Sequence, residues 1–194
     1  MRLTETGPGP IPTPPLSLFK EHLRLGFGFA DDGSEDVLLG EYLRAAVGVV
    51  ERRTARALVT RPFVLSVSGP DRDGCVVMPV GPVSAVTGVS IVDGVLTTAL
   101  DVGDWRVSPG ETGQRVGRVS APPPVVPAGG TLQIAFLAGL AADWDAVPAD
   151  LAQAVLILAA DFYARRGSEG VKSIEADLPE AFLRLIGPWR PIRV

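Results

Sequence analysis

A chain of 194 residues with 46% hydrophobic and 21% charged side chains has room for one ordinary domain, or for a small domain carrying a large insertion, and can bury a core. Eighteen Lys and Arg against 22 Asp and Glu leave a net charge of −4, which excludes a basic nucleic-acid-binding face spread over the whole surface. The single cysteine, Cys75, and single histidine, His22, exclude an internal disulfide framework and any zinc site built from several Cys or His ligands, and leave His22 as the sole base for a Ser-His-Asp or Cys-His centre.

Lysine occurs only at Lys20 and Lys172 and asparagine is absent, a bias that A-poor, GC-rich codon usage explains without invoking guanidinium chemistry. Turns must then rely on Gly, Pro and Asp. The N-terminus lacks the apolar stretch of a signal peptide, and the longest apolar runs, 132–142 and 151–160, are shorter than the roughly 18 residues a membrane span needs. The expected location is the cytoplasm, with no membrane association.

Pro8, Pro10, Pro12, Pro14 and Pro15 make residues 1–16 an extended arm rather than a helix or sheet strand. Ser17 is placed to cap a short helix over Leu18–Leu25, whose Leu18, Phe19, His22, Leu23 and Leu25 give a rough apolar stripe. Gly26-Phe27-Gly28 follows this helix rather than a strand, so it is not a dinucleotide loop, and no Gly-Lys-Ser/Thr exists for a P-loop. The acidic run Asp31–Asp36 caps the next helix, with Asp32 or Ser34 as N-cap. That helix spans about 35–57 and sets Leu39, Leu43, Ala46, Val47 and Val50 on one face. Glu51, Arg52, Arg53 and Arg56 mark its later turns as a solvated or subunit salt-bridge surface.

From Arg61-Pro62 the texture becomes β-branched and turn-punctuated. Strands are expected at 63–67, 75–78, 83–92, 105–107, 115–120 and 131–137, with hairpin turns at Asp71-Arg72-Asp73-Gly74 and Asp93-Gly94. A calcium loop starting at Asp71 would need a glutamate where Pro82 stands. Helical periodicity returns after Pro148, where Leu151, Ala154, Val155, Leu158, Ala159 and Phe162 surround a deeply buried helix in the core or at a subunit interface. After a loop at 167–173, residues 178–186 form a last short helix. The tail, Gly187-Pro188-Trp189-Arg190-Pro191-Ile192-Arg193-Val194, contains no acid. The fold class is α+β: a small helical bundle (17–61 and 141–187) interrupted by an antiparallel β module (62–140).

The order of these blocks resembles the head–tail connector (adaptor) proteins of long-tailed phages. The likeness is carried by Ser17-Leu18-Phe19-Lys20, Leu23-Arg24, Tyr42-Leu43-x-Ala45-Ala46, and Glu51-x-x-Thr54-x-Arg56-Ala57-Leu58. It continues through Met78-Pro79-Val80-Gly81-Pro82-Val83-Ser84-Ala85-Val86, Ala138-Gly139, Pro148-Ala149-Asp150-Leu151-x-x-Ala154, Tyr163-x-Arg165 and Leu185-x-x-Pro188-Trp189-Arg190-x-x-Arg193. The chain also resembles the version carried by gene transfer agents, which suits the GC-rich codon signal. Phe136, Leu137 and the long loop at 167–173 depart from the family pattern.

The resemblance implies a structural role with no catalytic, cofactor-binding or metal-binding residues. It implies a ring of about twelve copies beneath the portal protein, closed by head-to-tail contacts. The ring extends the DNA channel, lets DNA pass without sequence-specific binding, and receives the next, stopper-type component of the neck or tail. The particle neck is then the final location. The C-terminal segment 188–194 is implied to dock on the portal, and its Pro188, Trp189, Arg190, Ile192 and Arg193 suit that task as a proline-stiffened apolar peptide with arginines for carboxylates. Leu39, Leu43, Val47, Val50, Leu151, Val155, Leu158 and Phe162 are the expected core and subunit-helix residues. The competing readings are another head-completion protein of the same particle, a carbohydrate-binding or adhesion module with Trp105 as stacking platform, and an enzyme built on His22.

Overall fold

The structure, a computed structural model, describes residues 1–7, 11–25, 35–110, 113–119, 122–166 and 178–191. The chain divides into two compact units, one β-rich and one helical, with antiparallel sheets in the first: an α+β fold. The loop at 167–173, the expected caps Asp32 and Ser34, and the tail residues Ile192 and Arg193 lie outside the described residues.

The β unit is built from Ala55–Ala142 together with the N-terminal residues. Its strands are β1 (Arg2–Glu5), β2 (Arg61–Val67), β3 (Cys75–Val77), β4 (Val83–Asp93), β5 (Leu96–Leu100), β6 (Trp105–Gly110), β7 (Gly113–Arg118) and β8 (Thr131–Ala138). They form a five-stranded sheet in the order β1-β2-β8-β4-β5 and a three-stranded sheet in the order β3-β7-β6. Strict alternation places Leu132, Ile134, Phe136 and Ala138 of β8 inward, opposite Phe63 and Leu65 of β2. Phe63 pairs in register with Phe136, their rings stacked 5.6 Å apart. Val76, Met78, Trp105 and Val116 bring the small sheet into the same core.

Four differences from the sequence-based expectation have physical causes. Arg2–Glu5 is an edge strand, not part of an extended arm outside the sheet, because pairing with β2 (Leu3 opposite Leu65) supplies what its own composition lacks. Leu96–Leu100 is an additional strand hidden from periodicity because its first four side chains are exposed and only Leu100 packs against the core. The Asp71–Gly74 turn links β2 to β3 in different sheets, so it is a tight turn without a hairpin. The β unit also begins at Ala55, earlier than the expected 62, because the preceding helix stops at Thr54.

Where the segment 57–60 runs beside 139–141, the two backbones are locked together. Thr60 N–H donates to Ala141 O (2.8 Å), Leu140 N–H to Ala57 O (3.0 Å), Ala141 N–H to Leu58 O (3.1 Å), and Gly139 N–H to Pro82 O (3.0 Å). A Cβ on Gly139 would stand 2.3 Å from Thr60 N and Cα, so only glycine permits this approach.

The helical unit comprises Ile11–Thr54 and Asp143–Arg190. Its helices are α1 (Leu16–His22), α2 (Asp36–Thr54), α3 (Ala149–Ala164) and α4 (Glu180–Ile186). α1 starts at Leu16 behind extended Pro15, so Ser17 falls in the first turn and makes no cap bond. Arg24, at φ 55°, adopts the left-handed conformation that ends the helix before the expected Leu25. Ala55, at φ 53°, does the same for α2, and Thr54 Oγ1 donates to Val50 O as the last turn closes. Phe19, Leu39, Leu43, Ala46, Val47 and Val50 pack with Leu151, Ala154, Val155, Leu158 and Ala159 of α3 and with Phe182 and Ile186 of α4.

Candidate interaction surfaces

Seven of the eight expected helix residues, Leu39, Leu43, Val47, Val50, Leu151, Val155 and Leu158, are buried inside the helical unit itself. They are core residues and present nothing to a neighbour. Phe162 is the exception: it lies on α3 but is only half-buried. Polar contacts tie the bundle together around this core. Tyr163 donates its hydroxyl to Glu35 Oε2 (3.1 Å) and meets Tyr42 edge-on at 6.2 Å, and Lys20 pairs with Asp36 in the first turn of α2.

The first residues of the expected docking segment, Pro188 and Trp189, continue the helical bundle. Gly187–Trp189 forms a 3-10 turn continuing from α4, and Trp189 Nε1 donates to Asp150 Oδ2 at 2.5 Å. Trp189 is thus held on its own bundle, and Pro188 is exposed beside it. Beyond Trp189, Arg190 and Pro191 are exposed. The signal that would have exposed this contact, a carboxylate 39 positions upstream at the first turn of α3, has no local sequence signature.

In the β unit, Arg115 bridges the turn: its guanidinium bonds Asp71 and reaches Asp73 at 3.1 Å. The Asp71 carboxylate also accepts the Cys75 N–H (2.9 Å) and the Asp73 N–H (3.0 Å). The Cys75 backbone bond foremost, with Arg115 assisting, holds the Asp71 carboxyl below its ordinary pKa although burial pulls the other way. Arg118 of β7 pairs at 2.8 Å with Asp104, the residue just before β6. These pairs fasten a turn and strand ends, which is a structural task.

Trp105 is 3% exposed and packs in the sheet core, which removes the stacking platform that a carbohydrate site would use. His22 is the last residue of α1 and half-buried. Among the described residues no group of three or more His, Cys, Asp or Glu is placed to hold a metal ion, and no helix is long and apolar enough to cross a membrane. The large apolar side chains left in solvent are spread over both units, the most exposed being Met1, Val37, Val95, Leu96, Val119 and Val125.

No protein-family model matches the chain, and no curated protein does. Solved structures do match, over its whole length. One, described as the neck of an empty gene transfer agent particle computed with C6 symmetry, contains a chain 39% identical at a TM-score of 0.84, the match covering 100% of this chain and 97% of that one. A second, the virion of a native gene transfer agent particle, matches at 40% identity and a TM-score of 0.82 with the same coverage. A third, the neck of a native particle computed with C12 symmetry, matches at 35% identity and a TM-score of 0.78, again covering 100% and 97%.

Proposed function

The chain belongs to the neck proteins of gene transfer agent particles, and from that premise we propose that it is the adaptor: a ring of about twelve copies beneath the portal, which extends the DNA channel and receives the next neck or tail component. The observation that carries this reading is the end-to-end match to a chain in a neck of twelvefold symmetry. Sixfold averaging is compatible with the same ring, because sixfold symmetry is contained in twelvefold. The composition suits passage of DNA without adhesion: a charge of −4 per copy, repeated around a ring, gives an acidic body that offers phosphates no continuous counter-charge.

The portal-docking element is the end of the tail. With Trp189 fixed to Asp150, the arm proper starts at Arg190, and Arg190, Ile192 and Arg193 carry the apolar contact and the guanidinium groups for portal carboxylates. Pro188 and Trp189 set the point from which it departs. The β unit takes the contacts between neighbouring copies. Assembly takes place in the cytoplasm before the particle is completed, and the protein performs no catalysis.

The reading is tested by the mass of the purified chain with and without its portal protein. A chain that is monomeric alone and forms a ring on the portal is the expected result. A chain that ignores the portal, or that binds it as a single copy, overturns the proposal.

A further inference from the structure

The five-stranded sheet ends in two edges of different character. β1 has charge at two of its four positions, Arg2 and Glu5, and the Glu5 carboxylate is held by Arg61 Nε at 2.8 Å. β5 reads Leu96-Thr97-Thr98-Ala99-Leu100, without charge or proline, and among the described residues it pairs only with β4. Chains that stay monomeric guard such edges with lysine, proline, a bulge or a covering segment. The irregularities of β4 fall on its β8 side and leave β5 unguarded. The hairpin tip is apolar too, with Val95 fully exposed and Leu96 64% exposed.

The register fixes which backbone groups are open. Gly94-Val95 is a two-residue loop between the paired Asp93 and Leu96, and Gly94, at φ 59°, occupies the first central position as a type II′ turn requires. In such a hairpin the pair flanking the loop is hydrogen-bonded, and alternation makes Ile91–Thr98 and Val89–Leu100 hydrogen-bonded pairs as well. The N–H and C=O groups of Thr97 and Ala99 therefore point away from β4, along the free edge.

We infer that this edge is an inter-subunit strand: the Thr97 and Ala99 backbone groups of one copy pair with an extended segment of the adjacent copy of this chain, and Val95 and Leu96 pack beside that segment. The inference rests on the ring reading above, which supplies the occupant, since cyclic repetition brings a second copy to each flank. Cyclic closure requires a contact between two different surfaces. Pairing of β5 with β5 would close on a two-fold axis as a dimer, so the element that receives β5 is another one.

Residue-resolved hydrogen exchange on the isolated chain and on the chain assembled with its portal tests this, together with the Thr97→Pro variant. The Thr97 and Ala99 amides are expected to exchange freely in the isolated chain and at least about tenfold more slowly in the ring, with Thr98 protected in both. Thr97→Pro spares the β4–β5 ladder, because that N–H is not used there, and is expected to keep the unfolding midpoint while losing ring assembly. Should the variant fold poorly, the exchange measurement on the unaltered chain decides alone. Rings of the unaltered chain in which Thr97 and Ala99 exchange as fast as in the isolated protein overturn the inference and leave the ring reading standing. An unaltered chain that forms no ring on the portal overturns the ring reading, and this inference with it.

Discussion

Replacing Gly139 by alanine is predicted to be among the most damaging single-methyl changes this fold can suffer. The added Cβ would lie 2.3 Å from Thr60 N and Cα and 2.6 Å from Val59 C, all backbone atoms that no rotamer change can move. Ordinary contact begins at 3.4 Å, so the two segments must separate by about 1.1 Å. That displacement breaks hydrogen bonds of 2.8 to 3.1 Å that join 57–60 to 139–141 and Gly139 to Pro82. Losing two to four of them, at about 1 kcal/mol net each, costs about 2–4 kcal/mol, a large share of a domain's roughly 5–15 kcal/mol. Urea unfolding followed by circular dichroism measures the loss. Gly187→Ala is the control: its Cβ meets nothing within 4 Å and its φ of −49° suits alanine, so stability should hold or rise by about 0.5 kcal/mol. A Gly139→Ala protein within about 0.5 kcal/mol of the unaltered chain would refute the close-approach argument.

Leu158→Asp buries an unpaired carboxylate in the helical core at a cost of several kcal/mol and should yield insoluble protein; normal soluble yield would show the core misplaced. Because the folded-state pKa of Asp71 is depressed, its stabilisation is present above the unfolded value of about 3.9 and is lost as pH falls through the folded value. Asp71→Asn should accordingly flatten the acid limb of the stability–pH curve, and an unchanged limb would contradict the assignment. Trp189→Phe removes the N–H held by Asp150 and should lower stability by about 0.5–1.5 kcal/mol while portal docking persists. Deleting 191–194 should leave the unfolding midpoint unchanged and abolish docking, and a truncated chain that still completes particles would show that the arm is not the docking element.

The helices were legible because Leu39, Leu43, Val47 and Val50, and again Leu151, Val155 and Leu158, recur at helical spacing and carry the burial themselves. Their ends were not, because Arg24 and Ala55 enter the left-handed region without a glycine to announce it. Strands with one buried face, such as β8, declared themselves by alternation. β1 exists only through its partner β2, and β5 is exposed at four of its five positions, so neither leaves a periodic trace. Trp105 and Trp189 illustrate the limit for sites. Indistinguishable in sequence from surface anchors, they are placed by tertiary contacts, one in the sheet core and one against Asp150. The likeness to adaptor proteins lies in ordered motif blocks spread over the chain rather than in any constellation of reactive groups.

The most direct test is a symmetry-averaged reconstruction of necks from particles made with this chain, paired with particles from cells lacking it. The account predicts twelvefold density for the chain directly beneath the portal, continuous around the channel, and heads without tails when it is missing. Tailed particles of normal appearance without the chain, or density for it anywhere but the neck, would contradict it.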